Sequence, residues 1–295
     1  MISSKRYERN VLYAPESNYS KFVPALFALT VSADEIGHSV SIAYNPRTVA
    51  WAIEQTELGR IVVPPSLPDG LALFYTTIDW DGRLDQEAAS RLMRIVHDRF
   101  GIDATLSTCT QVHGKRIIQA PREARWRECD SCDALWSPAP GMALGIKVAD
   151  CLPVTIADVD HGVIANIHSG WRGAVQRITI ETLDALGKET PFETATVQAW
   201  LGPSIRACCF EVGEEVVSDL RAAYDDIEAF VGRRMAKPHI DLAALTTALL
   251  IERGFAPHAI HDSGLCTRCE GSIFHSYRRD ARRGRSGRNL AVVAH

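Results

Sequence analysis

Apolar residues recur near the helical period at Leu92, Ile95, Val96 and Phe100, which predicts an amphipathic helix beginning near Gln86. Asp85 is placed to cap its first turn, and Gly101 supplies a residue that tolerates the left-handed backbone of a helix end. The same reading predicts a helix over 174–186 stopping at Gly187, and amphipathic helices over 214–224 and 242–253. Between them, short β-branched or alternating runs at 71–78, 105–112, 142–148, 152–156, 163–168, 194–201 and 289–294 predict strands, with a turn over 158–162. Pro153 argues for an edge or irregular position in its strand. Residues 22–32 read as a buried strand rather than a signal peptide, because Glu8 and Glu16 make a poor positively charged leader. An Asn45-Pro46 turn and an apolar patch around Trp51 complete the least legible stretch. Strands and helices mix irregularly instead of alternating strictly. The expected fold is therefore α/β (α+β layered), with mixed β-sheets flanked by helices, and not a doubly wound dinucleotide binder. Neither a glycine-rich dinucleotide fingerprint nor a P-loop occurs.

Composition adds little to this. The 295 residues fit one large domain or two medium ones, and 46% hydrophobic with 23% charged residues is ordinary for a globular chain. A net charge of −4 gives no reason to expect nucleic acid as a partner. No apolar run approaches the roughly 20 residues needed to cross a bilayer. The eight cysteines, at 109, 129, 132, 151, 208, 209, 266 and 269, include an adjacent pair and two Cys-x-x-Cys pairs, a pattern unlike a secreted disulfide scaffold. They are expected to be reduced thiols in a cytoplasmic protein, some of them metal ligands.

The candidate chemistry centres on His113, Cys151 and His168, each at the end of a strand-like run. Two imidazoles and a thiolate fill three corners of a zinc tetrahedron and leave the fourth to water or substrate, the ligand count of a catalytic site. Any one of the three taken alone reads as a buried side chain; the surrounding glycines and arginines favour the metal reading. Asp150 precedes Cys151 and either orients a ligand or pairs with a nearby cation. The string Ser169-Gly170-Trp171-Arg172-Gly173 leads from strand to helix, so Arg172 either meets an anion beside free backbone N–H groups or packs against a core carboxylate. Arginines at 278, 279, 282, 283, 285 and 288 form either an anion site or a solvated basic loop. Cys129, Cys132, Cys266 and Cys269 offer the four thiolates of a second, closed zinc site, although about 130 residues separate the two pairs.

These strings resemble the laccase-domain family, formerly multicopper polyphenol oxidases and now described as zinc-dependent purine nucleoside phosphorylases of the YfiH type. The matching segments are Gln111-Val112-His113-Gly114, Asp133-Ala134-Leu135, Ala149-Asp150-Cys151-Leu152-Pro153 and His168-Ser169-Gly170-Trp171-Arg172-Gly173. Leu201-Gly202-Pro203-Ser204-Ile205, Phe210-Glu211-Val212-Gly213, Ser276-Tyr277-Arg278-Arg279-Asp280 and Gly287-Arg288 follow in the family's order, across roughly residues 62–295. The resemblance implies a domain over 61–295 with a YfiH-like layered fold; residues 1–60 lie outside it and are expected to form an extension packed on that domain, covering the site or forming a partner surface. It implies an enzyme with a metal on His113, Cys151 and His168, zinc in preference to copper, with Asp150 among the catalytic group. It implies phosphorolysis of adenosine, inosine, guanosine or methylthioadenosine, with adenosine deamination as a further activity. Purine nucleoside and phosphate are the implied partners, with Arg172, Arg278 and Gln111 as their binding residues and a monomer or small homo-oligomer as the assembly. One departure stands out: the family's Arg-x-Gly-Gly-x-Ser segment is replaced here by Thr76-Thr77-Ile78-Asp79-Trp80-Asp81-Gly82. Three other readings use the same residues: a copper phenol oxidase, a hydrolase with Cys151 as nucleophile and a histidine as its base, and a metal-stabilised interaction protein without catalysis.

Overall fold

A computed structural model describes residues 9–11, 28–31, 40–43, 51–123, 126–191, 196–281, 284 and 287–295. The chain runs through β1 (Arg9–Val11), β2 (Ala28–Val31), β3 (Val40–Ala43), β4 (Ala52–Thr56), β5 (Gly59–Val63), β6 (Ala72–Thr76) and α1 (Gln86–Phe100). It continues through β7 (Thr105–Cys109), β8 (Ile117–Gln119), β9 (Arg127–Cys129), β10 (Ala134–Ser137), β11 (Met142–Val148), β12 (Leu152–Asp158), β13 (Val163–Ser169), α2 (Trp171–Val175) and α3 (Ile178–Glu189). The last part holds β14 (Gln198–Leu201), α4 (Glu214–Ala223), β15 (Val231–Arg234), β16 (Lys237–Ile240), α5 (Leu242–Glu252), β17 (Ile260–Asp262), α6 (Tyr277–Asp280) and β18 (Asn289–Ala294).

Two mixed sheets carry the fold. One has the order β1-β4-β5-β6-β18-β11-β7-β9, the other β17-β14-β12-β13-β10-β8. Alternation along each strand sorts the side chains into three cores. Leu73 and Tyr75 of β6 join Leu144, Ile164 and Trp200 between the sheets. Ala72 and Phe74, on the opposite face, pack against Leu92, Ile95 and Val96 of α1. Val154 and Ile156 of β12 face Leu183, Leu220 and Leu250 of α3, α4 and α5. The result is a helix–sheet–sheet–helix stack. Asn166 of β13 bridges the sheets, donating to the carbonyls of Leu144 (2.9 Å) and Ala291 (3.0 Å). With both faces covered, β11 to β13 are buried almost end to end, which is why they read as apolar runs.

Helix α1 begins and ends as expected: the Asp85 carboxylate accepts from Ala88 N at 2.8 Å, and Gly101 takes φ 72°. Elsewhere the structure corrects the reading. The helix expected over 174–186 starts earlier, at Trp171, and breaks at Arg177 (φ 59°) before continuing past Gly187 to Glu189. Helix α5 is buried nearly all round rather than amphipathic. β12 is central, not an edge; Pro153 is tolerated because pairing with β14 starts one residue later, at Val154. The strand expected over 105–112 ends at Cys109, because a carboxylate captures the following N–H groups. The break expected near residue 60 falls inside β5, which pairs with β4 and β6, and β1 extends the same sheet. Of the strand expected over 22–32, Ala28–Val31 is formed and pairs with β3; residues 22–27 and 32, the Asn45-Pro46 turn and residues 194–195 lie outside the described residues.

Candidate metal centre and cleft

β11 belongs to one sheet and β12 to the other, so the chain must cross between them at residues 149–151. Asp150 makes that turn with φ 84°, and Cys151 emerges beside the end of β13, where Pro153 is register partner of His168. His113 arrives from the loop after β7, also with a left-handed backbone (φ 58°). A non-glycine residue holds that conformation when its surroundings enforce it. Here the enforcing group is Asp133, just ahead of β10 and wholly buried. Its carboxylate accepts from the backbone N–H groups of Val112 (3.2 Å), His113 (2.9 Å) and Gly114 (2.8 Å). It also takes His168 Nδ1 at 2.8 Å. One carboxylate thus folds the His113 loop and directs the other ring nitrogen of His168 toward Cys151.

The three side chains meet. Cys151 Sγ lies 3.9 Å from His113 Nε2, and the donor atoms of His113, Cys151 and His168 all fall within 4.8 Å of one another. Burial opposes ionisation of Cys151, but hydrogen bonds from His113 and His168 outweigh it and bring the thiol down to about 6. Burial likewise opposes the charged form of His168, yet Asp133 and Cys151 raise it to about 9. Gly170 lies directly beneath: a Cβ there would sit 2.8 Å from Cys151 Sγ and 3.4 Å from His113 Cδ2. A thiolate-prone sulfur, two imidazoles and a floor that only glycine leaves open fit a divalent metal with one vacant position. Gly170→Ala is therefore expected to weaken divalent-metal binding by about tenfold or more, read by competition against a chromophoric chelator, while the far-UV spectrum stays unchanged.

His113 and Cys151 line a cleft of about 740 Å³, within the usual range for small-molecule sites. Trp171 and Phe210 line it, and each carries a guanidinium on its ring: Arg172 lies 4.3 Å from the Trp171 centroid and Arg278 5.6 Å from that of Phe210. Arg278 also donates from Nη1 to the Glu211 carbonyl at 2.8 Å.

Asp150 lines the cleft, but its carboxylate turns to Thr267 Oγ1 and Arg278 N, accepting from both at 2.6 Å, so it fastens the strand turn to the segment that bears Arg278. Other expected site residues lie elsewhere. Gln111 does not line the cleft: its amide clamps the backbone of Lys147, donating to the carbonyl (2.7 Å) and accepting from the N–H (2.8 Å). The two Cys-x-x-Cys pairs do not converge. Cys129 pairs in register with Cys109, and Cys132 is hydrogen-bonded to Cys109, whereas Cys266 and Cys269 meet the adjacent Cys208 and Cys209. In the arginine run, Arg278 reaches the cleft. Arg279 instead binds Asp280 and the carbonyls of Thr267 and Phe274; Arg282, Arg283 and Arg285 lie outside the described residues. Residues 76–82 do not line the cleft; Asp79 there pairs with Arg60 at 2.6 Å. Asp133 enters the sequence reading only within a matching segment, with no role; its sole local signal, an acid beside an apolar strand, is shared with Asp150.

Residues 80–295 match the family model described as multi-copper polyphenol oxidoreductase laccase. A protein named adenosine deaminase RL5, from an unknown prokaryotic organism, is 38% identical over 178 residues, 57% of this chain and 68% of its own length. A purine nucleoside phosphorylase of Deinococcus radiodurans is 37% identical over 187 residues, 62% of this chain and 67% of its own. The crystal structure of YlmD from Geobacillus stearothermophilus superposes with a TM-score of 0.70, covering 81% of this chain and 97% of that one at 23% identity, a likeness of fold.

Proposed function

The chain belongs to the multi-copper polyphenol oxidoreductase laccase family, and from the site it builds we propose a zinc-dependent purine nucleoside phosphorylase that also deaminates adenosine. The observation that carries this reading is the convergence of His113, Cys151 and His168, the first two of which line a cleft walled also by two aromatic rings and two arginines. The relatives named purine nucleoside phosphorylase and adenosine deaminase support it.

Zinc bound by the three side chains would supply Lewis acidity and an activated water at neutral pH. The chain's own residues do the rest. In phosphorolysis a phosphate oxygen bonds to the anomeric carbon as the glycosidic C–N bond breaks, and the purine nitrogen leaves with the bonding pair and takes a proton. Arg172 and Arg278 hold the phosphate dianion in line for that attack, where forked guanidinium donors suit its oxygens. Trp171 and Phe210 offer flat apolar faces to the purine. Asp133 keeps His168 and the His113 loop in place throughout.

Zinc is proposed over copper on the chemistry of the donors. A multicopper oxidase needs a histidine-rich trinuclear cluster, and the metal-competent groups among the described residues contain two histidines in all. We place the protein in the cytoplasm on the strength of eight unpaired thiols, and propose a monomer or small homo-oligomer as its assembly. No helix among the described residues is long and apolar enough to cross a membrane. Residues 1–60 are proposed to pack on the main domain, a reading supported by the pairing of β4 with Ile61–Val63 of β5, which in turn pairs with β6.

Zinc-replete protein incubated with adenosine, inosine, guanosine or methylthioadenosine and phosphate is expected to release free base and pentose 1-phosphate, and ammonia from adenosine. Cys151→Ala is expected to abolish both. If the wild type yields neither base nor ammonia from any purine nucleoside, the reading is wrong. Modification of Cys151 as an acyl adduct would favour the cysteine hydrolase instead.

A further inference from the structure

Two loops outside the His–Cys–His centre bring four sulfur atoms together. The adjacent Cys208 and Cys209 follow a turn closed by Cys209 N to Arg206 O at 2.8 Å. Cys266 and Cys269 stand on a second turn closed by Glu270 N to Cys266 O at 2.9 Å. Backbone bonds between Ser204 and residues 265 and 267 stitch the loops together, Ser204 N to Leu265 O at 3.2 Å and Thr267 N to Ser204 O at 3.0 Å. The Sγ atoms of Cys208 and Cys269 are 3.7 Å apart, those of Cys209 and Cys269 3.4 Å, and all four lie within 4.8 Å of one another.

Those separations are far beyond the roughly 2.05 Å of a disulfide. They match the edge of about 3.8 Å that a tetrahedron of sulfurs has when each is about 2.3 Å from a central zinc. We propose that Cys208, Cys209, Cys266 and Cys269 form a second, closed zinc site of structural type. Cys266 and Cys269 have the usual Cys-x-x-Cys spacing of such sites; Cys208 and Cys209 are adjacent, and it is the turn at Arg206–Cys209 that brings both sulfurs to the same point. Binding releases the thiol protons to solvent and leaves a centre of charge −2. Cations outnumber carboxylates around it: Arg268 is hydrogen-bonded to Cys209, and Arg234, Arg278 and Arg279 line the same depression, against Glu211 there and Glu270 beside Cys269.

The position gives the site a purpose. One loop runs from Ile205 to Gly213 and supplies Phe210 and Glu211 to the catalytic cleft. The other carries Thr267, whose hydroxyl holds Asp150, which in turn holds Arg278 N. A metal that joins the loops fixes the wall bearing Phe210 and Arg278 without touching substrate.

The test counts metal in two variants of the full chain. Wild type purified from zinc-supplemented, reducing medium is expected to hold two zinc ions per chain by mass spectrometry of the elements. His113→Ala/His168→Ala, with all eight cysteines intact, is expected to keep one, and X-ray absorption on that protein should show four sulfur neighbours at about 2.3 Å. Cys266→Ser/Cys269→Ser is expected to drop from two ions to one. Should the serine variant fail to fold, the histidine variant decides alone. A histidine variant with no zinc, with mixed nitrogen and sulfur neighbours, or with Cys208 or Cys209 joined to Cys269 as a disulfide overturns the proposal. Because the histidine variant lacks the first centre, these outcomes are independent of whether the protein acts on nucleosides.

Discussion

Asp133→Ala is expected to cost at least 100-fold in zinc affinity and to reduce nucleoside turnover to background. Replacing a partner of one ligating histidine typically costs 10–100-fold, and here the same carboxylate also builds the backbone that presents a second ligand. Without it three backbone N–H groups, of Val112, His113 and Gly114, lose their acceptor, and His113 loses the restraint that keeps φ at 58°. Val112 is exposed, so the released N–H groups can turn to water instead, and the loop should open rather than keep its shape. Asp133→Asn, which retains one carbonyl oxygen as acceptor, is expected to fall between alanine and wild type. Isothermal titration with zinc and steady-state release of base measure the two effects. Wild-type affinity in the alanine variant would mean that the loop is held by something else.

Arg206→Met is expected to destabilise the fold by about 3–5 kcal/mol, the usual consequence of removing one partner from a buried ion group. Arg206 is 2% exposed. Its guanidinium donates to both Asp262 carboxylate oxygens, at 2.6 and 2.8 Å, and sits 3.2 Å from Asp241, which also caps α5 through Ala243 N and Ala244 N. Methionine fills the space but leaves two buried carboxylates facing each other. Urea unfolding followed by tryptophan fluorescence reads the loss. Arg206→Lys restores charge without the planar fork and should recover part of it. The triple change Arg206→Met/Asp241→Asn/Asp262→Asn should recover more than Arg206→Met alone, because it removes the uncompensated charge. A loss below about 1 kcal/mol in Arg206→Met would place the arginine in the surface ion-pair class instead.

Both effects come from contacts between distant stretches of chain, and that marks where sequence reading stops. Helix α1 was legible to the residue because its signals are local: a periodic apolar stripe, an aspartate before it and a glycine after it. β11 to β13 were legible because burial on both faces makes them continuous apolar runs. The short strands β8, β9 and β10 were missed, since three or four residues carry too little pattern and their pairing is set by partners far along the chain. The break at Arg177 was missed for a similar reason: nothing in the local composition demands a left-handed residue there.

The site divides the same way. The chain's own residues marked out His113, Cys151 and His168, because ligand chemistry restricts which side chains qualify and because glycines and arginines surround them. They also marked Arg172 and Arg278. Side-chain identity alone could not say which carboxylate serves His168, since Asp133 and Asp150 are both acids beside an apolar strand; the sheet crossover decides, turning Asp150 toward Thr267 and leaving Asp133 on the histidine. Nor could spacing say which cysteines meet. Cys-x-x-Cys at 129 and at 266 look alike in one dimension, yet the first is built into the edge of the eight-stranded sheet, beside Cys109, and the second is stitched to the loop of Cys208 and Cys209. Local chemistry nominates groups by type, but distance between segments is fixed by strand order and sheet stacking, which depend on the whole chain at once.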